Sequence, residues 1–258
     1  MTLRGRWQAC FFTCEPVRAV RAYRVLLGLW TVALIAGRAP YAEEVYALPV
    51  LRIGVVATAP PIAAVYAAMV GLVIAVGLMI AGRWPRVMSA LALGCFAWLS
   101  AVEVRAPRAY VEFALVQWVL LQATPTARTG EAPRWGTRLL MLQFSAMYWF
   151  AAVGKLLTPG WRTGEAVVAT LHAPRYGDYL LSSWLALDAG MWPWVIAWGT
   201  IAGELFIAVG LWWSRTRVAA LVVLVGLHLG IALTLRVSWL FHALMLVHVV
   251  LFVRGRGR

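Results

Sequence analysis

The chain of 258 residues is 63% hydrophobic and only 13% charged, with 15 tryptophans, against roughly 45 to 50% apolar and 25% charged in soluble domains, and a soluble core cannot hide that much apolar surface. The formal net charge of +13 would suggest nucleic acid for a soluble protein. Here the basic residues fall in short clusters between apolar runs, where they orient helices across a bilayer, so nucleic-acid binding is rejected.

The first 20 residues carry Arg4, Arg6, Glu15 and Arg18 and no apolar run ahead of a cleavage site, so no signal peptide is expected and the N-terminus is placed in the cytoplasm. Cys10, Cys14 and Cys95 are too few for a disulfide framework. Cys10 with Cys14 also lacks the second ligand pair of a zinc site, so no metal is expected.

A transmembrane helix needs about 20 mostly apolar residues, with roughly 17 to 25 tolerated. Eight runs bounded by Arg, Pro or Gly qualify: 20–37, 61–81, 87–103, 109–124, 139–157, 192–213, 217–235 and 238–253. The third and fourth are short and can be read as one broken hairpin around Arg105-Ala106-Pro107-Arg108, because proline disfavours helix at the residue before it. The span count therefore lies between seven and nine. The expected fold is all-α, a polytopic transmembrane helical bundle forming a single domain over residues 1–258.

With the N-terminus inside, fifteen arginines are cytoplasmic: Arg4, Arg6, Arg18, Arg21, Arg24, Arg83, Arg86, Arg128, Arg134, Arg138, Arg215, Arg217, Arg254, Arg256 and Arg258. Seven are external: Arg38, Arg52, Arg105, Arg108, Arg162, Arg175 and Arg236. This asymmetry places both termini in the cytoplasm. Two external stretches, near 40–60 and 158–191, are rich in Trp, Tyr and Pro and are expected at the membrane interface. Arginine-rich, lysine-poor usage suggests a GC-rich bacterial genome and hence a multi-pass protein of the bacterial inner membrane, in contact with lipid.

Ionisable groups inside a membrane cost roughly 2.5 to 3.5 kcal/mol at the centre by insertion scales, so each one invites a functional question. Lys155 is the only lysine beside 22 arginines. An amine can give up its proton where a guanidinium stays charged. A lysine near a helix end can equally snorkel to the headgroups, and both readings stand open. Glu204 lies in the sixth run, and His228, His242 and His248 in the last two. At a rise of about 1.5 Å per residue, Lys155 lies roughly 3 Å from the external end of its span, His242 about 6 Å, His228 about 10 Å and Glu204 about 18 Å. The lysine and two histidines are thus expected to converge in the external half, with Glu204 deeper. Each histidine can instead be an interhelical hydrogen-bond partner, and Glu204 the partner of a buried base.

Gln143, Tyr148, Ala151, Ala152 and Lys155 recur at spacings of three to five along one helix, and Gln143, Tyr148, Trp161, Glu204 and His242 are candidates for lining a cavity with Lys155 and His228. Trp161-Arg162-Thr163-Gly164-Glu165-Ala166 begins an amphipathic interfacial helix running to about His172. It is either a roof over a cavity above Lys155 or an aromatic anchor.

Several blocks carry a family likeness: Phe11-Phe12-Thr13-Cys14-Glu15-Pro16, Arg24-Val25-Leu26-Leu27-Gly28-Leu29, Tyr148-Trp149-Phe150-Ala151-Ala152-Val153-Gly154-Lys155-Leu156 with Trp161 and Gly164, Gly203-Glu204-Leu205, Ser214-Arg215-Thr216-Arg217 and His228-Leu229-Gly230-Ile231-Ala232-Leu233. Through them nearly the whole chain resembles the membrane domain of vitamin K-dependent gamma-carboxylase and the wider HTTM (horizontally transferred transmembrane) family. The resemblance implies a deprotonated membrane lysine that starts oxidation of reduced vitamin K by oxygen, producing a strong base that takes a proton from a glutamate side chain before carbon dioxide adds. It implies Lys155 as the initiating catalytic base, His228 beside it, and reduced vitamin K or another quinone as cofactor. The sequence departs from the carboxylase in two places. The region corresponding to its lysine-partnering histidine reads Arg105-Ala106-Pro107-Arg108, and no counterpart of its large luminal domain follows Arg258.

Two functional classes follow. One is a membrane protein that acts on a lipid-soluble quinone, or modifies a peptide, with a lysine base in an external-side cavity. The alternative is a non-catalytic membrane factor that matures or exports a partner protein. A transporter is less supported, since neither internal repeats nor broken helices stand out.

Overall fold

The computed structural model describes residues 5, 8, 11–47, 59–103, 109–126, 130–176 and 190–253. The segment Arg105–Arg108 and parts of both interfacial stretches, 48–58 and 177–189, lie outside the described residues. The chain divides into two compact units, Met1–Leu140 with Val253–Arg258, and Met141–Phe252.

In the first unit, helix α1 (Arg18–Arg38) buries Val20, Tyr23, Leu27, Trp30 and Leu34 along one face, the three-and-four spacing of an amphipathic stripe. Gly28 lets α2 (Ile62–Ile80) come close, since a Cβ there would stand 3.0 Å from Val76 Cγ1. A turn through Gly82 and Trp84, both at positive φ, reverses the chain into α3 (Pro85–Val102), and proline at the first helical position lacks only an N–H that would have no helical partner. Helix α4 (Ala109–Gln122) has 14 residues, about 21 Å of helix against a hydrocarbon layer of about 30 Å.

Buried polar pairs stitch these helices together. Tyr23 donates to Gln117 Oε1 at 2.7 Å, Trp118 Nε1 to Thr31 Oγ1 at 2.9 Å, and Arg24 to Thr124 Oγ1 at 2.7 Å. Arg38 pairs with Glu103 at 3.0 Å. The all-helical expectation omitted one small feature, an antiparallel ribbon of β1 (Cys14–Pro16) and β2 (Glu131–Pro133), with Glu15 opposite Ala132.

Helix α5 (Trp135–Leu157) passes the unit boundary. Within the second unit its residues from Met141 onward are followed by two short helices, α6 (Pro159–Thr163) and α7 (Glu165–His172). The expected interfacial helix is therefore broken at Gly164, where φ is +88° and a Cβ would meet the Trp194 nitrogen at 2.7 Å. Only glycine takes that backbone and that contact without strain. Helices α6 and α7 both pack on α8 (Trp192–Gly210), which in turn packs on α9 (Arg217–Thr234). The last run splits into α10 (Trp239–Val247) and α11 (Val249–Phe252).

Six helices among the described residues are long and apolar enough to cross a membrane: Arg18–Tyr41, Ile62–Ile80, Pro85–Val102, Trp135–Leu157, Trp192–Gly210 and Arg217–Thr234. The other two expected runs form shorter apolar helices, Ala109–Gln122 and Trp239–Phe252.

Candidate functional site

Within the second unit, α7, α8 and α9 line an open cavity of about 610 Å3 with Lys155 and Glu204 on its wall. That volume falls within the roughly 300 to 1,000 Å3 of small-molecule sites. Ile196, Val223, Leu227 and Ile231 form apolar walls, while Val167 and Leu171 of α7 close one side beside Trp161. Thr170 and Thr234 also line it, but their hydroxyls donate to the Ala166 and Gly230 carbonyls within their own helices. Their hydrogen-bonding capacity is thus largely engaged by the backbone.

Two pairs of small residues create the space. Gly199 and Gly203 on α8, and Gly226 and Gly230 on α9, are each four positions apart and all four line the cavity. A Cβ added at Gly199, Gly226 or Gly230 would meet nothing within 4 Å. Such pairs usually bring helices into close contact. Here three of the four glycines leave open volume.

Lys155 Nζ donates to both carboxylate oxygens of Glu204, at 2.7 and 2.8 Å. It also stands 5.1 Å from the centre of the Trp161 ring, within cation–π range. Distances this short mark charge-assisted hydrogen bonds. A proton can pass from the ammonium to the carboxylate without changing the net charge of the pair. The arrangement is therefore an acid–base couple on an otherwise apolar wall.

The other intramembrane groups form a second cluster. Tyr148 and His228 are hydrogen-bonded through the phenol oxygen and Nε2 at 2.6 Å, and His228 Nδ1 meets His242 Nδ1 at 3.1 Å. All three side chains are buried. His248, also fully buried, donates from Nδ1 to the Leu244 carbonyl at 2.8 Å and stacks on Phe144 with centroids 4.6 Å apart, the roles of a packing histidine.

The geometry thus joins Lys155 to Glu204, whereas counting residues along straight spans put Glu204 about 15 Å deeper. A long flexible side chain and a helix end that need not mark the membrane plane account for the difference. Of the candidate lining residues, Trp161 and Glu204 stand on the cavity wall with Lys155. Tyr148, His228 and His242 form their own chain instead, and Gln143 lies half-buried on α5, about three turns before Lys155. The sequence reading missed Val167, Thr170, Thr200 and the four glycines. The repeated Gly-x-x-x-Gly spacing on consecutive spans was the signal available for them. Among the described residues no group of three or more His, Cys, Asp or Glu side chains is placed to hold a metal.

A family model described as the HTTM domain matches residues 55–256. No curated protein and no solved structure matches the chain.

Proposed function

The chain belongs to the HTTM family, and from that premise we propose that this integral membrane protein acts on a lipid-soluble quinone, or modifies a peptide, with Lys155 as base and Glu204 as its proton partner. The observation that carries the reading is the Lys155–Glu204 pair on the wall of an apolar cavity large enough for a small lipid-soluble molecule. The residues fit such a group: apolar walls for rings and chain, and one polar couple for a hydroxyl or carbonyl. A reduced quinone would supply the oxidisable centre. The protein binds its apolar part between α8 and α9, excludes water with α7 and Trp161, and holds the proton on Nζ or on the Glu204 carboxylate.

The span count of eight, both termini in the cytoplasm, and the bacterial inner membrane belong to this same reading, supported by the arginine asymmetry and the eight apolar helical runs. A second reading is a non-catalytic maturation or export factor. The outer face of α9 favours it, where Val218, Val222, Val225 and Leu229 are exposed and could meet a partner helix as readily as lipid.

A quinone bearing a photoreactive diazirine on its apolar chain tests the site directly in nanodiscs. Labelling within residues 196–204 and 223–235, displaced by reduced vitamin K and reduced by Gly230→Leu, is the expected outcome. Labelling spread over the lipid-facing surfaces and insensitive to Gly230→Leu contradicts it, and a protein copurifying on α9 would then support the second reading.

A further inference from the structure

In the first unit a small open cleft is lined by Arg21, Arg24, Met79, Gly82, Pro85 and Thr126. It brings together the start of α1, the end of α2, the turn into α3 and the segment after α4. Arg24 is the anomalous group on its wall. It is only 5% exposed, yet its guanidinium donates to neutral oxygens, Thr124 Oγ1 at 2.7 Å and the Pro125 carbonyl at 2.9 Å. Its Nε has no partner among the described residues. The ion pairs among the described residues are Arg38–Glu103, Arg134–Glu15 and Lys155–Glu204, so none of them compensates Arg24. A buried charge with no counter-charge is costly. Snorkelling does not relieve it, because both hydrogen bonds hold the guanidinium against the segment after α4.

The surroundings supply no negative charge. Helices α1, α2 and α3 contain no Asp or Glu, and the one acid of α4, Glu112, sits in its first turn, away from the end at Gln122. The carbonyls at the end of α2 are engaged, since those of Gly77, Met79 and Leu78 accept from the Ala81, Gly82 and Arg83 N–H groups. Helix α3 starts at Pro85 with no side-chain cap from Trp84 and no acid in its first turn, so its positive end adds to the field of the arginines. Arg21, exposed and three positions before Arg24, lies on the same side of α1.

We propose that this cleft binds a phosphate group, carried by an anionic phospholipid or free in solution, with one phosphate oxygen seated beside Arg21 and Arg24. The size fits that mode. A volume of about 20 Å3 has room for about one water-sized group, so a single oxygen enters and the rest of the anion stays at the mouth. Depth also fits, because Arg21 and Arg24 stand about 5 and 9 Å along α1 from Arg18, within reach of headgroups at a membrane surface. The Thr126 side chain adds a hydroxyl to the wall. Nothing in this site depends on the quinone chemistry of the second unit.

The test uses the full chain in dodecyl maltoside, titrated with phosphatidylglycerol and read by native mass spectrometry, and with 32P-labelled inorganic phosphate read by equilibrium dialysis. Arg21→Gln and Arg24→Gln remove charges from the cleft, while Arg18→Gln removes an equally exposed charge of α1 that does not line it. One bound phosphate group per chain is expected, weakened about fivefold or more by Arg21→Gln and by Arg24→Gln and unchanged by Arg18→Gln. Phosphatidylglycerol binding that millimolar inorganic phosphate fails to displace assigns the lipid as source, and displacement assigns the free anion. No binding of either probe by the folded wild type overturns the proposal, as does an equal loss in Arg18→Gln and Arg21→Gln, which would mark diffuse attraction to a basic surface. Should Arg24→Gln fail to fold by circular dichroism, the comparison of the two exposed positions still decides.

Discussion

Lys155, near the C-terminal end of α5, gives two of its three N–H bonds to a single carboxylate, that of Glu204 on α8, 49 positions further along the chain. The side chains are 19% and 9% exposed, so neither partner is well solvated if the other is lost. Removing one member of a buried pair leaves a charge without compensation and costs about 3 kcal/mol or more, whereas replacing both by apolar residues is often neutral. Glu204→Leu is therefore expected to lower stability by about 3 kcal/mol, and Lys155→Met with Glu204→Leu to restore most of it. Unfolding in mixed micelles measures the cycle, and additive losses would show that the pair is not coupled.

Gly164 and Gly230 predict opposite responses to the same methyl group. Alanine at 164 meets the Trp194 and Pro193 backbone at 2.7 and 2.8 Å and must adopt φ of +88°, a left-handed conformation that alone costs about 1 to 2 kcal/mol. Alanine at 230 meets nothing within 4 Å and raises helix propensity by about 1 kcal/mol. Melting temperature should fall for Gly164→Ala and hold or rise for Gly230→Ala.

In the first unit, Trp118 and Thr31 are both fully buried and bonded to each other. Thr31→Val preserves shape but leaves the indole N–H unpaired, a loss of about 1 to 3 kcal/mol. Thr31→Ser keeps the acceptor and should lose less. Equal losses from both would assign the effect to packing.

Orientation is tested by cysteine labelling in intact cells, with Cys10, Cys14 and Cys95 replaced. Trp84→Cys, at an exposed turn between Arg83 and Arg86, should resist a membrane-impermeant maleimide until the cells are opened. Arg175→Cys should react at once. The reverse pattern would place both termini outside.

The apolar runs were legible because the bilayer sets their length, and six of eight became helices that can span. The ends were less so: the runs 109–124 and 238–253 read as full spans, but α4 and α10 stop after 14 and 9 residues. Lys155 and Glu204 stood out individually as costly charges in apolar runs. Their pairing did not, because it depends on how α5 and α8 pack and on where a flexible lysine side chain reaches. The cavity was hidden for a related reason. Gly199, Gly203, Gly226 and Gly230 read equally as close helix contacts or as open volume, and only the placement of neighbouring side chains decides between them. The small ribbon of Glu15 and Ala132 has strands of three residues, too short for any alternation to be read.

The most direct test of the central claim is epoxide formation from reduced vitamin K and oxygen by the wild type, Lys155→Arg and Lys155→Ala in nanodiscs. Arginine can keep the ion pair with Glu204 but does not give up its proton. The account predicts epoxide from the wild type and none from either variant, with Lys155→Arg as stable as the wild type. Epoxide from Lys155→Arg at the wild-type rate, or none from a folded wild type, would contradict it.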